Sequence, residues 1–343
     1  MKKALIVGAG IAGLTAGVLL KRKGWGIRVL DCRAQTGGNC HDYLQNGLYI
    51  HQFGPHIFHT SNQRVWKFVN EFASFTTYSH RVLAHTMLHD RPLPIPYSKD
   101  TERQLGRELM DDEIRVAFFV KYSEKMWGCP FGWIPKAITG RVSLRRENND
   151  TRYFLDVYQG MPAGGYFSLF GRMGGEIQPF NIDLGVTKDY WRSIYKDYDL
   201  TVFTGSLDEF YGLKFGPLLY RTIEFEFKHG QPQQEVAVIN WCDSRPMTRS
   251  TDFSQFYNNK VDFTTICNEY PYQYTGQAGL VPSYPMRNFP EADKVLDMYL
   301  NLKQPDNVVF CGRLGTYKYM NMDATIEDTM QRLECKLGES LYG

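Results

Sequence analysis

The sequence predicts an α/β protein that combines a parallel sheet, a small helical region and an antiparallel sheet. A glycine-rich segment directly follows the apolar run at residues 4–7, as in strand–loop–helix units. A polar-amphipathic stretch at residues 101–125 has its apolar residues at helical spacing. Residues 218–227, 233–241 and 261–267 alternate between apolar and polar side chains, as half-buried antiparallel strands do.

The first unit begins near the N-terminus and has the order strand, loop, helix, strand. Residues 4–7 are typical of a buried parallel strand, and residues 8–13 have the sequence GAGIAG. Helical spacing follows over residues 11–21, and residues 27–30 form a second strand. Because the G-x-G-x-x-G pattern indicates dinucleotide binding only in this βαβ context, we predict a Rossmann-like domain.

Each glycine of this loop has a separate physical task. Gly8 permits a tight turn, Gly10 lets the backbone approach a pyrophosphate, and Gly13 lets the helix pack closely on the strand. Asp31 ends the second strand, where a carboxylate can accept hydrogen bonds from a ribose diol. The alternative is a glycine-rich turn in an ordinary α/β domain.

The residues after Asp31 favour FAD over NAD as the dinucleotide. Arg33, Gly37, Gly38 and Asn39 resemble the R-x-x-x-x-G-G extension of many FAD-binding two-domain oxidases and mutases. There the second glycine pair lets the chain fold back over the pyrophosphate. The chain has one such fingerprint and no CxxC pair, which argues against a pyridine-nucleotide disulfide reductase.

The C-terminal region is predicted to complete the same domain. Residues 307–311 form a strand that is followed by Arg313, and a helix over residues 324–337 has Asp323 as its expected N-cap. In this fold class the N-terminus of the late helix points at the flavin, where its partial positive charge stabilises an anionic reduced cofactor. Met322 and Asp323 are therefore assigned to cofactor binding, and Arg313 is assigned to it because it resembles an arginine that lies beside the flavin in a known flavoenzyme family.

These elements divide the chain into three interleaved domains. The FAD-binding domain comprises residues 1–75, 163–213 and 306–343, and it includes a strand at residues 200–204 with a turn at the cofactor-binding Gly205. A short helical domain with a mobile loop occupies residues 98–147. The antiparallel-sheet substrate domain comprises residues 76–97, 148–162 and 214–305.

Composition and charge exclude several classes of protein. A net charge of +2 without a run of like charges predicts neither a nucleic-acid arm nor an anionic-membrane patch. Seven scattered cysteines without a CxxC pair fit reduced thiols in the cytoplasm. The N-terminal apolar run ends in Lys21-Arg22-Lys23 without an A-x-A-like site, so we expect neither a signal peptide nor membrane insertion.

Beyond the dinucleotide fingerprint, six local strings resemble bacterial UDP-galactopyranose mutases and occur in the order found in that family. They are GPHIFHT (54–60), FFVKYSEKMWG (118–128), NDTRYFLDVYQGMPAGGY (149–166), FTGSLDEFYGLKFG (203–216), RPMTR (245–249) and FCGRLGTYKYMNMD (310–323). Together they are far more specific than a dinucleotide motif.

The resemblance implies a redox-neutral, flavin-dependent isomerase. In the family, N5 of reduced FAD bonds to the anomeric carbon of the sugar, UDP leaves, and the covalent adduct opens and recloses before UDP is recaptured. The expected substrates are UDP-galactopyranose and UDP-galactofuranose or a closely related UDP-sugar, and the expected source of electrons is an external reductant such as NADPH. This chemistry requires no side-chain nucleophile, and the sequence has no recognisable Ser/His/Asp or Cys/His set.

A diphosphate leaving group requires fork-shaped cationic donors and hydroxyls. By resemblance, Arg141 is the mobile-loop arginine that closes over the pyrophosphate, and Arg249 is the second pyrophosphate arginine. Tyr153, Tyr284 and Tyr319 match tyrosines whose hydroxyls bind the diphosphate, with Tyr319 placed in the catalytic set. For the arginines, the alternative is a solvated surface charge.

Aromatic residues and histidines are expected at the uracil and the sugar. By resemblance, Phe118 and Tyr122 embrace the uracil, and their i, i+4 spacing places them on one helix face. Trp127 matches a residue near the sugar, although core packing is the commoner fate of such aromatics. His59 is assigned to catalysis and His56 to the cofactor, and without further ligands at suitable spacing we expect no metal site.

Two substitutions and one shortened segment depart from the family pattern. Asn321, in the catalytic set, stands where the family has Asp, and His80, near the sugar, stands where it has Asn. Both concern the sugar end, so a modified galactose is an open possibility. Between Pro96 and Phe118 the chain is shorter than in the family, where a helical insertion contributes to the dimer, so the usual dimer contact is not expected.

Two other functions remain open at this point. A flavin oxidase of the amine-oxidase type would share the FAD domain, but it would have little use for diphosphate donors. A non-catalytic relative would bind FAD or a UDP-sugar without turnover.

Overall fold

The computed structural model describes residues 1–140, 144–178, 181–257 and 261–342. The strands are β1 Lys3–Val7, β2 Gly26–Asp31, β3 Asp42–Gln45, β4 Leu48–His51, β5 Phe58–Thr60, β6 Val82–His85, β7 Leu93–Ile95, β8 Tyr158–Gly160, β9 Ile182–Leu184, β10 Leu200–Phe203, β11 Tyr220–Gly230, β12 Val238–Trp241, β13 Arg249–Asp252, β14 Thr264–Gln273, β15 Tyr284–Pro285 and β16 Val308–Phe310.

The α-helices are α1 Ile11–Arg22, α2 Gln63–Asn70, α3 Lys99–Leu105, α4 Asp111–Ile114, α5 Lys121–Trp127, α6 Lys136–Thr139, α7 Gly165–Ile177, α8 Leu207–Phe210, α9 Pro290–Leu300, α10 Gly312–Gly315 and α11 Met322–Leu337. A π-helical segment, Arg115–Val120, joins α4 to α5. Among the described residues, no helix is long and apolar enough to cross a membrane.

Within the described residues, five strands form a parallel sheet in the order β16-β10-β1-β2-β9. Val7 at the end of β1 lies opposite Leu30 and Phe203, and Phe203 lies opposite Phe310. The loops after β1, β10 and β16 therefore meet at the same sheet edge, where ligands bind in folds of this kind. This arrangement confirms the predicted α/β class with a Rossmann-like domain.

The parallel sheet is buried on both faces. Ala4 and Ile6 belong to the core shared with α1, α7 and α11, whereas Leu5 belongs to a second cluster with Trp191 and Phe210. Because both faces are covered, β1 is an uninterrupted apolar run rather than an alternating one. The division of the chain into three domains remains a prediction.

The second sheet has the order β15-β11-β14-β13-β12-β6-β7 within the described residues, and it forms the opposite wall of the molecule's large cavity. Its longest pairing is antiparallel, from Arg221 opposite Gln273 to Gly230 opposite Thr264. Strands form in all three of the segments predicted to alternate, with shifted bounds. One pair, β6 with β12, is parallel, and the sequence pattern did not predict it.

Residues 101–125, whose apolar spacing predicts a helix, do not form one continuous helix. Helix α3 ends before Gly106, whose φ of 70° is left-handed, and α4 begins at Asp111. Left-handed glycine commonly terminates helices, and this signal outweighs the apolar spacing on either side of it. The π-helical turn before α5 then changes which side chains share a face.

The start of the last helix also differs from expectation. Helix α11 begins at Met322, so Asn321 and not Asp323 is its N-cap residue. The backbone carbonyl of Asn321 accepts the hydrogen bond of the Thr325 amide at 2.9 Å, and Asp323 lies in the first turn. Asn321 has the extended backbone of an N-cap, but its side chain makes no capping bond.

Candidate active site

One cavity of about 1200 Å³ extends from the glycine-rich loop to the antiparallel sheet. Its walls come from the edge of the parallel sheet, the start of α11, helix α5, and side chains of β11–β13. Most predicted site residues line it: Gly8, Gly10, Asp31, Arg33, Gly38, Asn39, His56, His59, His80, Tyr122, Trp127, Tyr153, Gly205, Arg249, Tyr284, Arg313, Tyr319, Asn321 and Met322.

Three predicted site residues do not line the cavity, and a fourth cannot be placed. Gly13 and Asp323 do not line the cavity, and Arg141 lies outside the described residues. Phe118, only 1% exposed, packs in the core beside Tyr97, while its neighbour Phe119 lines the cavity. Phe118 therefore does not line the cavity together with Tyr122, as the predicted uracil-binding pair would require.

Two glycines at the junction of β1 and α1, Gly8 and Gly13, have no room for a side chain. Gly8 has a φ of 106°, and a Cβ there would lie 2.0 Å from Oγ1 of Thr204. A Cβ on Gly13 would lie 1.8 Å from the Gly8 carbonyl oxygen, so this glycine allows the close packing of helix on strand that we predicted. Helix α1 begins with no side-chain cap and no acidic residue in its first turn, which leaves its amides available to an anion.

A second glycine segment lies directly against the first. The Gly37 amide donates to the Ala9 carbonyl at 2.8 Å, and a Cβ on Gly38 would lie 3.1 Å from Cα of Gly10. The chain thus folds back over the loop as the sequence pattern predicted. This narrow, side-chain-free cradle at a helix N-terminus fits the pyrophosphate of a dinucleotide such as FAD.

Both carboxylate oxygens of Asp31 accept hydrogen bonds from backbone amides. One carboxylate oxygen accepts the Ala9 amide at 2.7 Å, and the other accepts the Arg33 amide at 2.8 Å. Arg33 in turn donates to Oδ1 of Asn39 at 2.8 Å and lies 4.8 Å above the ring of Phe53. Asp31 therefore shapes the cradle, and its bond to a ribose stays a prediction.

Arg313 holds two of the predicted tyrosines at the centre of the cavity. Its guanidinium lies 4.6 Å above the Tyr319 ring and 5.5 Å above the Tyr284 ring, and these rings stack 5.7 Å apart. It also donates to the carbonyls of Ser283 and Met320, at 3.0 and 2.7 Å. Burial raises the pKa of the Tyr284 hydroxyl, so this group remains a hydrogen-bond donor at neutral pH.

Arg249 is paired with a buried carboxylate. Its Nη2 and Nε donate to Oε2 of Glu269 at 2.7 and 3.1 Å, and the Glu269 side chain is 1% exposed. Burial opposes the charge of Arg249, but the Glu269 carboxylate holds the pKa of the guanidinium well above its ordinary value. The arginine is therefore a fixed, permanently charged donor whose orientation is set before any ligand binds.

The histidines lie at the other side of the same chamber. The His59 ring stacks on Phe154 with centroids 3.6 Å apart, and Phe154 stacks on His80 at 5.5 Å. Burial and the nearby charge of Arg249 lower the pKa of His80 to about 3, so it is neutral at physiological pH. Burial likewise lowers the pKa of His56, to about 4, while its Nδ1 lies 2.8 Å from the Gly54 carbonyl.

Several residues that contribute to this geometry were not predicted from the sequence. Phe119 and Asp156 line the cavity, Glu269 orients Arg249, and Lys125 holds the chain before Arg249. Asp156 and Lys125 lie within the quoted strings, but no spacing rule assigns them a task. Glu269 faces Arg249 because the two are directly opposite in the β13–β14 register, which only a correct strand pairing would have revealed.

A family model described as UDP-galactopyranose mutase matches residues 117–319, more than half of the chain. The chain belongs to the UDP-galactopyranose mutase family. A second model, described as an NAD(P)-binding Rossmann-like domain, matches residues 6–72. Membership confirms the resemblance seen in the six strings and makes this protein a flavin-dependent isomerase, with FAD as the cofactor that its fold implies.

Relatives from two bacteria support the assignment along the whole chain. A probable UDP-galactopyranose mutase from Klebsiella pneumoniae is 32% identical, over 96% of this chain and 93% of its own length. A dTDP-fucopyranose mutase from Escherichia coli is 29% identical, over 96% of this chain and 97% of its own. Proteins named for different nucleotide sugars are thus similar to this family member at comparable identity.

Solved structures agree on the fold. A reduced UDP-galactopyranose mutase has a TM-score of 0.73 at 15% identity, with 98% of this chain and 96% of that chain covered. A putrescine oxidase has a TM-score of 0.55 at 8% identity, covering 98% and 99%. Because both share the architecture, the fold does not separate mutase from oxidase. The family model and the sequence relatives do, and they support the mutase.

Proposed function

We propose that this protein interconverts UDP-galactopyranose and UDP-galactofuranose, or a closely related UDP-sugar, while reduced FAD is bound. The observation that carries the proposal is that one cavity is lined both by the glycine cradle and by Arg249 with its neighbouring tyrosines. A dinucleotide in the cradle and a diphosphate at Arg249 would therefore lie in the same chamber. An oxidase acting on apolar amines would not need the arginine and tyrosines that line the part of the cavity around Arg249.

The residues that would hold FAD are the backbone of Gly8, Gly10 and Gly38, the Arg33–Asn39 pair, and the first turn of α11. When it is bound and reduced, the cofactor supplies a nucleophilic nitrogen for the anomeric carbon of the sugar. Arg313 and the partial positive charge at the N-terminus of α11 favour an anionic cofactor over a neutral one. We propose that electrons come from an external reductant such as NADPH and that the protein works in the cytoplasm.

Arg249, Tyr153, Tyr284 and Tyr319 are proposed to bind the diphosphate. Each offers a donor whose hydrogen bond strengthens as negative charge develops on the departing UDP. Glu269 keeps Arg249 oriented, so little reorganisation is needed when UDP leaves. Arg141, predicted to close over the same group, retains this role as a proposal from sequence.

At the nucleotide end, Tyr122 is proposed to stack on the uracil together with Phe119 in place of Phe118. Both line the cavity, whereas Phe118 is buried in the core. Trp127, near the other end of α5, is proposed to contact the sugar, and so are His59, His80 and Asn321. Because His80 is neutral and Asn321 carries an uncharged amide, this end of the cavity suits hydroxyl or amide substituents rather than charged ones.

An anoxic isomerisation assay tests the proposal. Flavin-loaded protein is reduced with dithionite and mixed with UDP-galactofuranose, and the nucleotide sugars are separated by chromatography. We expect UDP-galactopyranose to accumulate only with reduced protein, with no net oxidation of the sugar. Turnover by the oxidised form alone, or oxygen-dependent peroxide formation with an amine substrate, would favour the oxidase.

The same assay with UDP-N-acetylgalactosamine and with dTDP-linked sugars determines the substrate class. We expect uridine nucleotides to be preferred, since the proposal places the uracil between Phe119 and Tyr122. Binding of UDP-sugars without isomerisation in either direction would identify a non-catalytic relative instead.

A further inference from the structure

His59 is fixed on three sides within the cavity wall. Its Nδ1 lies 2.8 Å from Oδ2 of Asp156, and its ring lies nearly parallel to that of Phe154, at an interplanar angle of 9°. Its other nitrogen, Nε2, lies 3.4 Å from Nδ2 of Asn321. Because the ring is stacked on one face and bonded at one nitrogen, it cannot turn freely to exchange its two nitrogens.

Asp156 is itself held in place by the side chain of Ser61. Its Oδ1 accepts the Ser61 hydroxyl at 3.0 Å, and the Val157 amide donates to Oγ of Ser61 at 3.3 Å. Strands β5 and β8, which pair His59 with Gln159, set the distance between the two chain segments. The carboxylate is therefore part of a built arrangement and not a mobile surface group.

This arrangement selects one tautomer of the imidazole. An ionised carboxylate only accepts hydrogen bonds, so the proton of a neutral His59 ring belongs on Nδ1. The lone pair then lies on Nε2, which faces the amide nitrogen of Asn321, a donor. Both His59 and Asn321 line the cavity, so the hydrogen-bond acceptor is presented at the proposed sugar end.

We propose that Asp156 is a positioning residue that holds His59 in the Nδ1–H tautomer, so that Nε2 accepts a hydrogen bond from a hydroxyl of the bound sugar, which replaces the Asn321 amide as its donor. The inference rests on the proposed function for the identity of the ligand. The tautomer itself is a property of the protein alone. Asn in place of Asp156 would keep the shape but could donate to Nδ1, which favours the opposite tautomer, with its proton on Nε2.

The direct test is nitrogen NMR of protein labelled with ¹⁵N-histidine, with His59→Gln used to assign the His59 signals. In the unmodified protein we expect Nδ1 to carry the proton, and in Asp156→Asn we expect a change toward the Nε2–H form. A wild-type signal with the proton on Nε2 would overturn the proposal. Because this measurement needs no substrate, it stands apart from a failure of the proposed isomerase activity.

Kinetics with UDP-galactofuranose supply the second readout. We expect Asp156→Asn to lower kcat/KM about 10- to 100-fold, as loss of an orienting outer partner commonly does. The double variant His59→Gln/Asp156→Asn should lose no more than His59→Gln alone, because both changes remove the same interaction. Strictly additive losses would show that Asp156 does not act through His59.

Asp150→Asn is the matched control on the same chain segment. It removes the same charge, but Asp150 pairs with Arg152 and does not line the cavity. We expect kcat/KM and the His59 tautomer to stay near their wild-type values. If Asp150→Asn lost as much activity as Asp156→Asn, order in this segment and not the tautomer of His59 would be what the carboxylates support.

Discussion

At the scale of single residues, the ion pair between Arg249 and Glu269 determines how much of the positive charge of Arg249 is available to a ligand in the cavity. Oε2 of Glu269 accepts both hydrogen bonds from Arg249, while its buried Oε1 has no hydrogen-bond partner among the described residues. The carboxylate thus neutralises the arginine, but one of its own oxygens is left without a hydrogen bond among the described residues. A bound diphosphate would offer Arg249 a second source of negative charge.

Glu269→Gln should therefore lower the stability of the protein without UDP and increase the stabilisation that UDP binding provides. Without the carboxylate, the half-buried charge of Arg249 has a close negative partner only when a diphosphate is bound. We expect the free energy of unfolding to fall by about 3 kcal/mol, as for a broken buried ion pair, and the rise in Tm on adding UDP to become larger.

Thermal unfolding with and without UDP measures both effects. Glu224→Gln, an exposed carboxylate on β11 of the same sheet, is the control and should change neither quantity. An unchanged or smaller UDP-induced rise in Glu269→Gln would show that Arg249 does not meet the diphosphate.

Some residues of the site could be predicted from the sequence, and others could not. Arg249 and His59 were found because they lie in strings that resemble a family. Their partners Glu269 and Asp156 were not found, because each contact depends on the register between two paired strands. Pairing of this kind is decided by the fold as a whole, and local spacing carries no record of it.

At the scale of elements, helix α5 is held in place by two cations. Nζ of Lys125 donates to the carbonyls of Trp241, Arg245 and Met247, at 2.7, 2.8 and 2.8 Å. At the C-terminus of the helix, Nε of Arg221 donates to the Met126 carbonyl at 2.8 Å. The first interaction ties the helix that carries Tyr122 and Trp127 to the loop that leads into Arg249.

Lys125→Met should loosen this loop and leave three carbonyls without their shared donor. We expect the free energy of unfolding to fall by about 1.5–3 kcal/mol, the range for hydrogen bonds to a charged group. The affinity for UDP should fall while the affinity for FAD is retained, because the glycine cradle lies at the far end of the cavity. Urea unfolding and ligand titrations provide the measurements.

Lys121→Met, one turn earlier on α5, is the matched control. Within the described part of the chain, its Nζ pairs with the carboxylate of Glu124, and its side chain is 61% exposed. Little change is expected in either stability or affinity. Equal loss of FAD and UDP affinity in Lys125→Met would mean that the substitution disturbs the whole fold and not this loop.

The elements differ in how well the sequence predicts them. The βαβ unit was predicted within a residue or two, because strand, glycine loop and helix are specified by adjacent residues. The π-helical turn before α5 was not, because apolar spacing does not distinguish one extra residue in a turn from a regular helix. Both phenylalanines lie in this turn, and Phe119 lines the cavity whereas Phe118 does not.

At the scale of the whole molecule, buried histidines link folding to pH. His51 is 0% exposed and His80 is 3% exposed. Burial lowers the pKa of both imidazoles, that of His51 well below its ordinary value and that of His80 to about 3. The folded protein thus keeps them neutral, whereas the unfolded chain binds protons below about pH 6.5. Their contribution is present above that pH and is lost as the pH falls toward the folded values.

Stability should therefore fall as the pH is lowered from about 7 to 5, before most carboxylates titrate. With His56, whose pKa burial lowers to about 4, three such groups contribute a slope of up to about 4 kcal/mol per pH unit, and His80→Asn should reduce this by about a third. Urea unfolding of both proteins across this range measures the slopes. Parallel curves would show that His80 does not stay neutral in the folded state.

The overall architecture followed from the sequence only in part. The parallel sheet was predictable because its first half is contiguous in the chain and is marked by the glycine loop. The parallel pairing of β6 with β12 joins segments more than a hundred residues apart, and no local pattern predicts such a pair. That pairing completes the sheet that forms the far wall of the cavity.

The central claim is that one cavity holds a flavin and a nucleotide sugar side by side. Titration of UDP into the FAD-loaded protein, followed by the visible absorbance of the flavin, tests it most directly. We predict a spectral change that saturates at one UDP per flavin while the flavin stays bound. Displacement of the flavin by UDP, or UDP binding that leaves the flavin spectrum unchanged, would contradict the claim.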